Sequence, residues 1–120
     1  MKLFSFEKLN VWNESVDFVV DIYDLTKRFP DNERFGLVSQ LRRASVSISS
    51  NIAEGTSRST NADKARFTTI AFSSAMEVLN QLIICKKLNF INEGDYLKIC
   101  SKLEKITNML NALRNHQLNK

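Results

Sequence analysis

The chain has 120 residues, a length that fits one domain large enough to bury a core. With 43% hydrophobic and 25% charged residues, one proline and three glycines, it has the composition of an ordinary globular protein with little to interrupt long helices. Two unclustered cysteines, Cys85 and Cys100, exclude a disulfide framework and a zinc site. We therefore predict an all-α protein, and its net charge of +4 permits an anionic partner.

The N-terminal segment MKLFSFEKLNVW lacks the long apolar run of a signal peptide, because Glu7 and Lys8 interrupt it. We expect a cytoplasmic protein. A first helix is predicted over about residues 8–28, and its apolar residues form two rows that leave only one side for water. The rows are Leu9, Trp12, Val16, Val19 and Tyr23, and Val11, Phe18, Ile22, Leu25 and Phe29. A helix buried this widely needs neighbours on two sides.

The second predicted helix covers residues 33–54, with Asp31 or Asn32 as its cap and Gly55 as a left-handed terminator. Its apolar row is Val38, Leu41, Ser45, Ile48 and Ile52, and the opposite row is Gln40, Arg43, Ser47, Ser50 and Glu54. Serine competes for the backbone in helices, so its abundance here indicates close helix packing, with hydroxyls bonded inside the helix or across an interface.

The third helix is predicted over residues 62–88, after a loop at residues 56–61 and a cap from Thr60 or Asn61. It also has two apolar rows, which are Thr69, Phe72, Met76, Leu79 and Ile83, and Phe67, Ala71, Ala75, Val78 and Leu82. Its polar residues are too many for a membrane span. Glu77 interrupts the apolar run, and an unpaired buried carboxylate is costly, so we expect Glu77 to pair with Arg42 or Arg43.

A fourth helix is predicted over residues 94–114, capped by Asn92, with His116 in a frayed tail. Its single apolar row is Tyr96, Ile99, Leu103, Ile106, Leu110 and Leu113, and Lys98, Lys102, Lys105 and Asn108 face water. Four helices with short connections predict one antiparallel up-down-up-down four-helix bundle spanning residues 1–120. Because the first and third helices are apolar on two sides, we expect more than one copy of the chain in the assembly.

The charged residues have alternative interpretations. Arg42 and Arg43 point about 100° apart, so one can pair with a carboxylate while the other is solvated. Glu54 lies at the unfavourable end of the helix dipole, which predicts a cation beside it, Arg58 or Arg66, from the same or a neighbouring subunit. A second possibility is contact with a nucleic acid or partner protein, for which the candidates are Arg42, Arg43, Arg58, Lys64 and Arg66. Aromatic residues on apolar rows favour core packing over base stacking, which needs exposed rings among cations.

We expect no enzyme. The serines of the second helix lack a base, since the one histidine is His116, and no convergent acid, base, nucleophile or metal set is visible. No catalytic residue, metal, cofactor or small-molecule substrate is therefore predicted, and no membrane association.

Four segments carry a resemblance to a known family: FEKLNVW, FP followed by Glu33 and FGL, QLRRASVSISSNIAEG at residues 40–55, and FTTIAFSSAMEVLNQL. In their order and spacing the chain resembles the four-helix bundle family of 23S ribosomal RNA intervening sequence proteins. The resemblance implies a bacterial, cytoplasmic homo-pentamer of antiparallel bundles with no established activity. A similar protein, the accessory variability protein of diversity-generating retroelements, partners a reverse transcriptase and contacts nucleic acid through a basic surface.

Two functions follow from these observations. The first is a non-enzymatic homo-oligomeric bundle that serves as an interaction scaffold. The alternative is a nucleic-acid-binding accessory factor, bound to RNA or DNA, for an RNA-processing or reverse-transcribing partner, although a net charge of +4 is modest for that task.

Overall fold

The helical spacing of apolar residues organises the chain into four α-helices in the computed structural model, which describes residues 1–119. They are α1 (Asn10–Thr26), α2 (Leu37–Thr56), α3 (Asn61–Lys87) and α4 (Glu93–Leu118). Short 3₁₀ turns cover Ser5–Lys8 and Asp31–Glu33, and no strand occurs in the described residues. The predicted all-α class and the four helices are confirmed.

One core is built from the rows that the apolar spacing predicted. Phe18 and Ile22 of α1, Leu41 and Ile48 of α2, and Leu103 of α4 are all but fully buried. The innermost part of α3 is made of smaller residues, Ala71, Ala75, Val78 and Leu82, each with no exposed surface. Small side chains on α3 let the neighbouring helices approach closely, so the helix with the least bulky row lies deepest.

Helix α3 is also the one helix of the described chain that is long and apolar enough, by length and composition, to cross a membrane. Its contacts argue for another role, because it packs along both α2 and α4 and buries polar as well as apolar side chains, among them Ser74 and Gln81. A core helix of a helical bundle has these properties, and we assign α3 that role.

The start of α2 differs from the prediction. The residues Asp31–Glu33 form a 3₁₀ turn, so α2 begins at Leu37 and neither Asp31 nor Asn32 caps it. The N-cap position is Gly36, and the carboxylate of Glu33 accepts a hydrogen bond from the Leu37 backbone N–H at 3.4 Å. The other two caps are as predicted, since Thr60 accepts from the N–H of Asp63 at 3.1 Å and Asn92 from that of Asp95 at 2.8 Å.

The prediction that Gly55 ends α2 in a left-handed conformation is wrong. No glycine of the described chain has a positive φ, and α2 continues to Thr56. Gly55 is instead buried against α3, where an added Cβ would lie 3.0 Å from the Cβ of Phe67. A glycine is needed here because two helix backbones approach each other closely.

The end of α4 also differs, because the helix runs to Leu118 and includes His116, so the predicted frayed tail is helical. The last turns are held to α3 by a buried hydrogen bond, in which the Thr68 hydroxyl donates to the side-chain oxygen of Gln117 at 2.7 Å. This polar contact continues the packing beyond Leu113, where the apolar row of α4 stops.

The charges of α1 and α4 meet along the contact between these two helices. Glu14 pairs with Lys105 at 2.8 Å, Asp21 pairs with Lys102, and Arg28 pairs with Asp95 at 3.0 Å. Such exposed pairs each contribute little, about 0–1 kcal/mol. Together they favour one relative orientation of the two helices, because acidic residues of α1 meet basic residues of α4 within one chain.

Candidate interaction surface

A cleft lies where α1 ends and α2 begins, and we call it the arginine cleft. It is lined by Tyr23, Arg34, Phe35, Val38, Ser39, Arg42, Arg43 and Val46. The turn Asp31–Glu33 places Arg34 and Phe35 just before α2. The cleft residues that belong to α2 lie on the first three turns of that helix. Three cations and two aromatic rings are thereby brought together at one end of the molecule.

Arg42 is held in place by α1. Its guanidinium carbon lies 4.4 Å from the centre of the Tyr23 ring, a cation–π arrangement, and its Nε donates to the Thr26 hydroxyl at 2.9 Å. Thr26 is itself buried and donates to the carbonyl of Ile22 at 2.7 Å. Arg42 therefore joins the end of α1 to α2 and forms the fixed wall of the cleft.

Phe35 forms the most open part of the cleft. Its side chain is 90% exposed, and the guanidinium carbon of Arg34 lies 5.7 Å from the ring centre. The reason is register: the buried row of α2 starts at Val38, and Phe35 lies before the helix, outside that row. A phenylalanine ring surrounded by water and cations is thus available to another molecule.

The cleft is positively charged without internal neutralisation. Within residues 1–119, no carboxylate forms an ion pair with Arg34, Arg42 or Arg43. The other two arginine candidates for nucleic-acid contact, Arg58 and Arg66, are paired with a carboxylate. Since unpaired guanidiniums attract anions more strongly than paired ones, the arginine cleft has a stronger claim to an anionic partner.

The second cationic cluster lies at the turn between α2 and α3. Asp63 accepts from Nε of Arg58 at 2.7 Å and from Nε of Arg66 at 3.0 Å, and both guanidiniums stack on the Phe67 ring. These two hydrogen bonds hold the pKa of the Asp63 carboxyl below its usual value. Lys64, the remaining candidate of this loop, is half-buried next to them. Arg58 and Arg66 are therefore held together by one carboxylate at the start of α3.

We expect Asp63→Asn to destabilise the fold at neutral pH and to lose this effect in acid. The folded pKa lies below the unfolded value of 3.8, so the stabilisation is complete above that pH and disappears as pH falls through the folded pKa. Urea denaturation of both proteins at about pH 7 and about pH 3 checks this, with Asp17→Asn, at an exposed acid, as the control. A wild-type advantage that is unchanged at the lower pH would contradict the assignment.

Two predicted ion pairs are not formed within the chain. Glu77 is exposed and accepts from the Gln81 amide at 3.3 Å, so the prediction that it is buried is wrong, and it pairs with neither Arg42 nor Arg43. Glu54 is also exposed, and the expected cations beside it bind Asp63 instead. A partner for Glu54 from a neighbouring subunit stays a prediction.

The small polar residues of α2 behave as predicted. Ser47 and Ser74 share a hydrogen bond of 2.9 Å between α2 and α3, and Asn51 donates to the Ser47 carbonyl at 2.8 Å. The hydroxyls of Ser45 and Ser49 bond to carbonyls of their own helix. The hydroxyls of Ser45, Ser47 and Ser49 are therefore all hydrogen-bonded while the helices approach closely.

The second apolar rows of α1 and α3 are only partly covered. On α1, Leu9, Trp12, Val16 and Val19 are half-buried and Tyr23 is 39% exposed; on α3, Phe72 and Leu79 are half-buried and Met76 and Ile83 are each 39% exposed. We call these the α1 row and the α3 row. Val20, 54% exposed, extends the α1 row. Because α1 and α3 share no contact in the described chain, the two rows belong to helices that do not touch.

Sequence reasoning missed Arg34 and Phe35 and placed Tyr23 in the core. The available signal was that Phe35 falls outside the apolar row of α2, next to Gly36. Starting α2 at residue 33 hid this signal, since it counted Arg34 and Phe35 as helical residues. The 3₁₀ turn is what brings these two side chains to the cleft.

Comparisons with known proteins agree with the fold. The family model of the 23S rRNA-intervening sequence protein matches residues 7–112. Among solved structures, the chain is similar to a protein of unknown function from the S23 ribosomal protein family of Bacteroides thetaiotaomicron VPI-5482. The TM-score is 0.78 at 24% identity, over 87% of this chain and 97% of that chain. No curated protein matches. With the match extending from the first 3₁₀ turn into the later part of α4, the chain belongs to the 23S rRNA-intervening sequence protein family.

Proposed function

We propose that this protein is a non-enzymatic, homo-oligomeric scaffold of antiparallel four-helix bundles in the bacterial cytoplasm. The observation that carries the proposal is the pair of half-exposed rows, the α1 row and the α3 row, on two helices of one chain that do not touch. Burial of apolar surface is worth about 25 cal/mol per Å², so covering both rows with further copies would stabilise an assembly. A homo-pentamer is the assembly implied by the family resemblance.

The contacts between helices support the up-down-up-down connectivity. Arg28, just past the end of α1, pairs with Asp95 at the start of α4, whereas Glu14, near the start of α1, pairs with Lys105 farther along α4. This order is typical of two helices that run in opposite directions. Ser47 with Ser74 and Gly55 with Phe67 give the same order for α2 and α3.

Two different rows favour a ring over a simple dimer. If the α1 row of one copy packs on the α3 row of the next, the interface is heterologous, and a heterologous interface closes into a ring when its rotation permits. Each copy then uses both rows. A dimer formed by two α1 rows would leave both α3 rows exposed.

Light scattering tests the assembly. We expect the wild-type mass to be a multiple of 13.8 kDa, and Val20→Glu and Met76→Glu each to reduce it, because a charge in an apolar interface is unpaired. Ser101→Glu adds the same charge on the exposed side of α4 and should leave the mass unchanged. A well-folded wild-type monomer of 13.8 kDa would contradict the proposal.

Mixing the two variants tests the ring geometry. Val20→Glu keeps an intact α3 row and Met76→Glu keeps an intact α1 row, so the mixture should form one heterodimer of twice 13.8 kDa while each variant alone stays monomeric. Dimers of either variant alone would show that a row pairs with itself.

The second candidate function, a nucleic-acid-binding accessory factor for an RNA-processing or reverse-transcribing partner, is favoured by the arginine cleft. None of its three arginines has a carboxylate partner in the described chain, so together they provide local positive charge that can bind phosphates. This local charge is not apparent from the net charge of the whole chain, which is only +4. Gel shifts with structured RNA and single-stranded DNA at low and high salt test it. Absence of binding even at low salt would exclude this function and leave the scaffold alone.

A further inference from the structure

We propose that the arginine cleft binds single-stranded nucleic acid, with a base stacked on the Phe35 ring and phosphates on Arg34 and Arg43. The inference rests on the second candidate function and names its site and the form of its ligand. It concerns residues that the sequence candidates only partly include, since Arg34, Phe35 and Tyr23 are not among them. The ligand features that the cleft would recognise, an unpaired base and a phosphate backbone, are common to RNA and DNA.

The exposed ring of Phe35 is suited to stacking with a base. Phe35 is 90% exposed and has a cation on one side, with the guanidinium of Arg34 at 5.7 Å. Base stacking on an aromatic ring needs both an open ring face and an unpaired base, and it tolerates any base because each has a π-face. In a duplex the base faces are hidden by their neighbours. The ring therefore favours single strands over double strands.

The three arginines of the cleft differ in whether their guanidiniums are free to bind a ligand. Arg42 is occupied, since it stacks on Tyr23 and donates to Thr26, so it supplies charge from a fixed position. Arg34 and Arg43 are exposed and have no carboxylate partner in the described chain. A guanidinium binds a phosphate with two parallel hydrogen bonds, which suits these two free forks.

The start of α2 sets the distance along which cleft residues are spread. From Leu37, the first residue of α2, to Arg43 there are six residues, or about 9 Å of helix rise at about 1.5 Å each. That distance equals two to three nucleotides at about 3.4 Å per nucleotide along a stacked strand. Phe35, which precedes α2, and Arg43 are therefore within reach of one short run of nucleotides.

Oligomerisation would multiply this site. Each copy has one arginine cleft at the end of its bundle. The cleft lies past Val16 and Val19, which occupy the middle of the α1 row. Several clefts on one assembly raise the effective affinity for a long strand, because the second contact is intramolecular. A short strand that reaches only one cleft should bind more weakly than a long strand of the same composition.

Fluorescence anisotropy with labelled single-stranded RNA, single-stranded DNA and duplex DNA of one mixed sequence tests the site. We expect the wild-type chain to bind single strands more tightly than the duplex. Phe35→Ala should weaken single-strand binding about 5-fold to 150-fold, the range for removing one stacked base. Phe4→Ala, which removes another exposed ring, 65% exposed and outside the cleft, is the matched control and should change affinity less than about 2-fold.

The arginines are tested by salt dependence. The double variant Arg34→Ala with Arg43→Ala should lower the slope of log affinity against log salt by about 1.4, because each single-strand phosphate that an arginine neutralises adds about 0.7 to that slope. Arg114→Ala, at an exposed arginine on α4, is its control. A preference between the RNA and DNA strands identifies the natural source, and binding of either one through Phe35 supports the proposal.

Other outcomes would overturn the proposal in distinguishable ways. Equal affinity for single strands and duplex, or unchanged binding by Phe35→Ala, removes the stacking site while the second candidate function survives. A changed mass of Phe35→Ala in light scattering makes the ring a contact between copies instead. No binding of any strand by the wild-type chain at low salt removes both the site and that function.

Discussion

Replacing Phe18 by alanine is expected to lower the free energy of unfolding by about 3–5 kcal/mol, the usual cost of removing a buried aromatic ring. The same replacement at Phe35 should change it by less than about 0.5 kcal/mol. Phe18 is 1% exposed in the core of the bundle, whereas Phe35 is 90% exposed in the arginine cleft. The loss at Phe18 is a large part of the total stability of a small domain, about 5–15 kcal/mol.

Urea denaturation followed by circular dichroism measures both changes, at one protein concentration because subunit association contributes to stability. Both replacements remove the same phenyl ring, one from a buried position and one from an exposed position. Similar losses at the two positions would show that Phe35 is covered in the assembled protein, and would also count against its role in nucleic-acid binding.

The helices themselves could be predicted from the sequence because their buried rows repeat every three or four residues. The rows Val38, Leu41, Ser45, Ile48, Ile52 and Ile99, Leu103, Ile106, Leu110 are buried throughout. Periodicity reports which side of a helix meets the core, and the caps Thr60 and Asn92 add side-chain chemistry that is local in sequence. These features depend on residues within one or two turns of each other.

Features that depend on a second helix could not be predicted. Gly55 looked like a helix terminator because glycine is common there, and its actual role requires knowing that Phe67 lies opposite. Glu77 looked buried because its neighbours in sequence are apolar, yet it lies on the outer side of α3. The extension of α4 depends on Thr68 reaching Gln117, 49 residues away.

The candidate site was predicted only in part for the same reason. Arg42 and Arg43 were recognised by residue type, but their significance depends on which cations keep a carboxylate partner. Arg58 and Arg66 have a weaker claim because both bind Asp63. The exposure of the Phe35 ring and the stacking of Arg42 on Tyr23 arise from a turn and from a contact between helices.

The surfaces proposed for assembly and for binding meet at Tyr23, which belongs to both the α1 row and the arginine cleft, and otherwise differ in their residues. The ion pairs between α1 and α4 occupy the acidic side of α1, and at the turn between α2 and α3 the carboxylate of Asp63 binds both Arg58 and Arg66. The α1 row and the α3 row are apolar, whereas the arginine cleft is cationic. Apolar contacts suit permanent association between copies, while unpaired cations suit a reversible, salt-dependent ligand.

Substitutions at two helical glycines are expected to have opposite effects. Gly94→Ala, in the first turn of α4, should stabilise the fold by about 0.5–1 kcal/mol, because alanine restricts the unfolded chain and its Cβ would lie 3.6 Å from the nearest atom, an ordinary contact. Gly55→Ala should destabilise it, because the new Cβ would lie 3.0 Å from the Cβ of Phe67 and both atoms are tied to helix backbones. Gly55→Val adds further volume to the same contact and should cost about 1–3 kcal/mol or more.

Thermal and urea denaturation of the three variants at one protein concentration measure these differences. The comparison separates close packing from backbone conformation, because both glycines lie in helices and neither has a positive φ. If α2 and α3 are held together at Gly55 as the structure has them, the helices must separate to admit a side chain, and the Ser47 to Ser74 hydrogen bond should weaken with them. A stabilising Gly55→Ala would mean that the two backbones have room to spare, and that the serine-rich side of α2 has some purpose other than close approach.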